Sequence, residues 1–177
     1  MKLDTQIIVL LSLSLVSAGH PLFTGTNIGG WMVLEPWITP SLFYRFLGKG
    51  QNDTAMDSYS LCEVLGPQMG NLVMRAHWDT WYTEEHIKNL SMRGIDMVRL
   101  PIGDWTLHQY GPYVGCMDGA AEKIDWMFDT CAKYNITILL DVHAMVGSQN
   151  GFDNSGRAYK VEWFNDTNFQ HWNISQA

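Results

Sequence analysis

The chain has 177 residues, 46% hydrophobic and 12% aromatic, a composition suited to a folded domain or part of one and not to a disordered segment. Eleven Lys and Arg against 18 Asp and Glu leave a net charge of −7, which argues against nucleic acid or an anionic membrane surface as a partner, since both would be repelled. A neutral substrate suits that charge, and eight Trp supply flat faces that fill cores or stack on sugar rings.

Lys2 precedes an apolar run from Ile7 to Val16, and Val16-Ser17-Ala18 offers the small residues a signal peptidase accepts, so residues 1–18 read as a secretory signal peptide and 19–177 as the mature chain. A membrane anchor needs roughly 18 or more apolar residues, and neither this run, interrupted by Ser12 and Ser14, nor any later one is that long. Secretion gives meaning to five acceptor sequons, at Asn52, Asn89, Asn135, Asn165 and Asn173. Asn52, in a polar loop, is the best acceptor among them, whereas Asn135 opens an expected buried strand and is a poor one. Three cysteines, Cys62, Cys116 and Cys131, leave at least one without a partner in this chain.

The stretch Gly25-Thr26-Asn27-Ile28-Gly29-Gly30-Trp31 reads as a short strand running into a tight turn. Glu35 follows among apolar neighbours, with Trp31 and Trp37 nearby; it is either a carboxylate for sugar hydroxyls or a structural acid at a strand end. Pro40 and Ser41 start a helical turn to Leu47, and 49–54 is a surface loop. Asp57 caps a helix from Ser58 to Leu65 that Gly66-Pro67 ends, and another helix runs from Gln68 to about His77. His77 and His86 are expected to be solvated surface groups and not metal ligands.

Two similar units follow. Thr83 caps a helix with Glu84 and Glu85 in its first turn and Ile87, Leu90 and Met92 on its apolar face; Arg93-Gly94 ends it, and Ile95–Leu100 is a strand whose pairing Pro101 stops. Period two places Ile95, Met97 and Arg99 on one face, and an arginine closing a strand either pairs with a neighbouring carboxylate or touches substrate. The second unit is a helix from about Asp118 to Tyr134, burying Ile124, Met127, Phe128 and Cys131, and a strand from Ile136 to Val142 that reads as covered on both faces. Alternation puts Leu139, Asp141 and His143 together, before the polar loop Gly147 to Gly156. Helix, strand, loop, helix, strand indicates an α/β fold with a parallel sheet, and Arg99 is expected to pair with Asp141 beneath the site.

Five segments carry a family resemblance: Gly25 to Trp31; Leu34 to Phe43; His77-Trp78-Asp79-Thr80-Trp81; Val98-Arg99-Leu100-Pro101-Ile102-Gly103; and Gly147-Ser148-Gln149-Asn150-Gly151-Phe152-Asp153-Asn154-Ser155-Gly156. Together they resemble the secreted exo-β-1,3-glucanases of glycoside hydrolase family 5, in the right order over essentially all of the mature chain. The resemblance implies a (β/α)8 TIM barrel of which about the first three β/α units are present, and a retaining hydrolase releasing glucose from the non-reducing end of β-1,3-glucan. It implies substrate contacts at Glu35, Trp37, Arg99, His143, Phe152, Asp153 and Asn154, with Asp141 as support. Trp37 stands where a tyrosine is common, and Ala144-Met145-Val146 where small residues and a proline are usual.

Neither family glutamate, the acid/base after an asparagine on strand four or the nucleophile on strand seven, has a counterpart in this sequence. The chain is therefore expected to be the N-terminal part of a longer enzyme, without catalytic residues of its own and inactive alone. No cofactor or metal is expected, the partner is a β-glucan polysaccharide or oligosaccharide, and the full-length protein is expected to be a monomer. A non-catalytic glucan-binding protein, or a same-fold hydrolase of another β-glycan, stays open as an alternative.

Overall fold

A computed structural model describes residues 22–165 and residue 167. The expected signal peptide (1–18) and the sequon at Asn173 lie outside the described residues. Three strands, β1 (Gly25–Asn27), β2 (Met97–Gly103) and β3 (Thr137–Ala144), form one parallel sheet in the order β1-β2-β3. Among the described residues they are accompanied by the α-helices α1 (Pro40–Phe43), α2 (Ser58–Trp81), α3 (Glu84–Met92) and α4 (Ala120–Lys133). The α/β reading with a parallel sheet holds.

Each helix begins where local chemistry directs it. The Asp57 carboxylate accepts from the Ser60 N–H at 2.7 Å while the Ser60 hydroxyl oxygen accepts from the Asp57 N–H, a reciprocal cap that starts α2. Within α2, Gly66 adopts φ 70, a left-handed value that breaks the helix, and Pro67 restarts it with a preset φ. The second piece continues to Trp81, one turn past the His77 end expected from the sequence. Thr83 caps α3, and Asn135 at φ 57 closes the turn after α4.

The extension of α2 has a purpose in packing. Its last turn clamps the turn after β1: Trp81 Nε1 and the Tyr82 hydroxyl donate to Gly29 O, at 3.1 and 3.2 Å. His77, expected at the surface, is instead buried, with Nε2 2.8 Å from Gly30 O. A carbonyl only accepts, so Nε2 carries the hydrogen, and burial holds the imidazole below its ordinary pKa.

Val98, Leu100 and Ile102 of β2 join Ile87 of α3 and Ile124, Met127 and Cys131 of α4 in the core. Burying each such side chain contributes about 1.5–3 kcal/mol. Two expected core residues are not in it. Met92 is 67% exposed at the end of α3, and Phe128 lies 41% exposed on the outer flank of α4. Nor is β3 covered on both faces: Leu139 and Leu140, which point to opposite faces, are both exposed.

Pro101 does not end β2, which pairs with β3 through Gly103. Arg99 O accepts from Ile28 N on the β1 side, so Pro101, two residues on, turns its missing N–H to that same side, where β1 has already ended. The proline therefore costs no ladder bond to β3.

A disulfide joins Cys62 of α2 to Cys116, and Cys131 is free and buried, so one cysteine stays unpaired as its odd number requires. Burial raises the Cys131 thiol to about 11, which leaves it protonated and inert.

Candidate functional site

The polar residues expected at the strand ends meet at the C-terminal end of the sheet. Arg99 is in register with Asn27 of β1, and its Nη1 donates to Asn27 Oδ1 at 2.9 Å. On the other side Nη2 donates to Asp141 Oδ2 at 2.5 Å, so the expected Arg99–Asp141 pair is present. Period two makes it possible: Arg99 registers with Leu139, and Asp141 lies on the same face two residues further on.

His143 completes the cluster. Its Nδ1 lies 2.9 Å from Arg99 Nη2 and 3.0 Å from Asp141 Oδ2. Bare, Nδ1 accepts from Arg99; protonated, it donates to Asp141; in either form Nε2 is the nitrogen left to meet a ligand. The guanidinium is thus tied to both neighbouring strands and acts as a fixed brace.

Glu35 enters from the loop after β1. Trp37 Nε1 donates to Glu35 Oε2 at 3.1 Å, which leaves Oε1 open to a ligand hydroxyl. Partial burial and, after it, the nearby Asp153 carboxylate raise the Glu35 pKa, against the pull of the Trp37 bond, His143 and Arg99. Asp153, His143 and Arg99 are therefore all within electrostatic reach of the Glu35 carboxylate. The Trp37 indole is 73% exposed, presenting a ring face beside that carboxylate. Trp31 does not take part: it is fully buried, and its Nε1 donates to Trp78 O at 3.1 Å.

The loop after β3 brings Phe152, Asp153 and Asn154 to the same end of the sheet. Phe152 is 68% exposed, and its N–H donates to Asn150 Oδ1. Asn154 donates its N–H to Asp153 Oδ1 and accepts at Oδ1 from Asn150 Nδ2, leaving its own Nδ2 uncommitted by these bonds. Gln149 staples the loop to the strand, Nε2 donating to His143 O at 2.5 Å and Oε1 accepting from Met145 N–H at 3.3 Å.

Several residues that set this geometry were not legible as site residues. Asn27 is one; its only signal is a polar residue closing a short strand. Asp104, just past β2 and almost fully buried, accepts from the Val146 N–H at 2.7 Å and the Tyr110 hydroxyl at 2.9 Å, and so fixes the path of Ala144-Met145-Val146. Asp57 uses its second oxygen to accept from Ala158 N–H across 101 positions of sequence. Gly156, at φ 81, has Trp105 ring carbons 2.3 Å from where a Cβ would stand, and its carbonyl accepts from Tyr59 N–H and the Tyr113 hydroxyl. Only a glycine fits there.

This chain is 42% identical over 147 residues to a protein of Pichia angusta named glucan 1,3-beta-glucosidase, a match covering 82% of the chain and 32% of that protein. It is 40% identical over 149 residues to a protein of the same name from Kluyveromyces lactis, covering 82% and 34%. The chain is a homologue of the glucan 1,3-beta-glucosidases. A further member, the sporulation-specific glucan 1,3-beta-glucosidase of Saccharomyces cerevisiae, is 40% identical over 151 residues, covering 81% and 33%. The chain spans about a third of the length of these relatives. No family model matches it.

Among solved structures, a crystal structure of rutinosidase from Aspergillus niger superposes with a TM-score of 0.74 at 24% identity, over 86% of this chain and 41% of that one. AoRut gives 0.70 at 23%, again over 86% and 41%. These likenesses establish the fold, a parallel α/β arrangement shared across low sequence identity.

Proposed function

We propose that this chain forms one wall of the sugar pocket of a β-1,3-glucan hydrolase, holding the terminal glucose at the non-reducing end. The observation that carries the reading is the Glu35 carboxylate, bonded by the exposed Trp37 and within electrostatic reach of the Arg99–Asp141–His143 brace, at the C-terminal ends of parallel strands. That is the end at which (β/α)8 enzymes bind substrate, and the names of the homologues favour β-1,3-glucan.

Each side chain has a task in this reading. Glu35 Oε1 accepts hydroxyl protons of the terminal sugar, and incomplete hydration of the carboxylate keeps it ready to do so. Trp37 and Phe152 present ring faces to the apolar C–H surface of the sugar. His143 Nε2, Asp153 and Asn154 Nδ2 offer further polar contacts, and Arg99 with Asp141 holds the histidine in place.

The three strands are the first part of a (β/α)8 barrel of a retaining hydrolase, and the two carboxyls that cleave the bond, about 5–5.5 Å apart in such enzymes, come from later strands. The full-length protein works as a secreted monomer, a setting with which the Cys62–Cys116 disulfide agrees.

The test is electrophoresis of the chain through gels containing laminarin, with Glu35→Ala and Trp37→Ala beside the wild type. Retardation by laminarin, weakened in both variants, is expected, together with no glucose release by the 177-residue chain. Equal mobility of all three proteins with and without laminarin would overturn the reading.

A further inference from the structure

We propose that Asn135 carries an N-linked glycan, at the end of the sheet opposite the sugar pocket. By sequence the Asn135-Ile136-Thr137 sequon opens an expected strand and is a poor acceptor, but β3 starts only at Thr137. Asn135 instead occupies the turn after α4 at φ 57, its backbone N–H donating to Ala132 O. Both Asn135 and Thr137 are exposed, so a glycan on that side-chain amide projects directly into solvent.

The sequon at Asn89 is the contrasting case. Asn89 is half-buried on α3, and the Ser91 hydroxyl already donates to Tyr134 O at 2.9 Å. Glycan transfer acts on the chain as it emerges and folds, so the folded structure decides whether the product can be accommodated. At Asn135 it costs no packing; at Asn89 it has to displace the neighbours of α3.

Position argues the same way. Thr137 lies four residues before Asp141 along β3, about 13 Å at strand rise, and Asn135 precedes it in the turn, so the glycan leaves the Glu35–Arg99 end open. The Cys62–Cys116 disulfide belongs to the oxidising compartment in which the transfer takes place. In that step the Asn135 amide nitrogen loses a proton and forms a bond to C1 of an oligosaccharide held on a lipid pyrophosphate. The C1–oxygen bond breaks, and the lipid pyrophosphate leaves with the electron pair. The inference does not depend on the glucan reading, since it concerns the opposite end of the sheet.

The experiment is secretion of the full chain from a yeast host, enzymatic removal of N-glycans in heavy-oxygen water, and peptide mass spectrometry. Heavy-oxygen aspartate at position 135 in most of the peptide, with the Asn89 peptide unlabelled, is the expected result. Asn135→Asp, which keeps a residue tolerant of left-handed φ, and Thr137→Val, which leaves Asn135 in place, each run one glycan smaller than wild type. An unlabelled Asn135 peptide, whether Asn52 alone is labelled or no sequon is, overturns the proposal, as does wild-type mobility of both variants.

Discussion

Arg99 and Asp141, 42 residues apart, meet at 2.5 Å across β2 and β3, and the same guanidinium reaches Asn27 on β1. One side chain thereby cross-links all three strands at the C-terminal end of the sheet. Asp141→Ala removes a charge-assisted bond from a part-buried arginine and is expected to destabilise the protein by about 1–3 kcal/mol. Urea unfolding measures it. A midpoint unchanged from wild type would show that the pair contributes nothing to the fold.

Glu35 makes a prediction about pH. Its pKa in the folded protein is raised by burial and by Asp153, so folding favours its protonated form. The stability this confers is fully present below the unfolded pKa and is lost as pH rises through the folded one. Glu35→Gln, which cannot ionise, should therefore melt above wild type at pH 7, with the difference shrinking to nothing as pH falls below about 4. A difference in Tm that stays constant across that range would contradict the assignment.

Trp37 and Phe152 are exposed rings, to which the proposed function gives a sugar face to bind. Alanine at either position should change stability by no more than about 0.5 kcal/mol while weakening laminari-oligosaccharide binding roughly tenfold. Calorimetric titration separates the two effects. Unaltered affinity in both variants would remove these rings from the pocket.

Asp104 anchors the start of the loop after β3. Asp104→Ala leaves the Val146 N–H without its buried acceptor and releases the Tyr110 hydroxyl from the same carboxylate, at a cost of about 1–3 kcal/mol for a group left unpaired. Limited proteolysis should then cut within 147–156 faster than in wild type. Identical cleavage rates would mean that Gln149 and Gly156 hold the loop without it.

The Cys62–Cys116 bridge closes a segment of 54 positions between α2 and the region after β2. Chain entropy assigns roughly 4 kcal/mol to such a loop. Replacing both cysteines by serine should lower the denaturation midpoint accordingly, and reducing agent should then have no further effect on the variant.

Much of this protein follows from residues alone. Periodicity and caps placed α3, α4 and the parallel strands, because Thr83, Gly94 and Asn135 act on their own neighbours within a turn or two. That Asp141 and His143 share a face at the end of β3 was legible because period two is a local rule, and their pairing with Arg99 followed once β2 and β3 were adjacent. Contacts across long separations were decided by the tertiary structure. Whether His77 is solvated or buried depends on where the turn at Gly30, 47 residues away, comes to rest. Trp31 and Trp37 look equivalent in sequence, yet one meets α2 and the other solvent, and only packing tells them apart. Asn27 and Asp104 gave little local signal, and Asp57 showed only its cap, because each also acts through a hydrogen bond to a residue 42 to 101 positions away, and no local rule reaches that far.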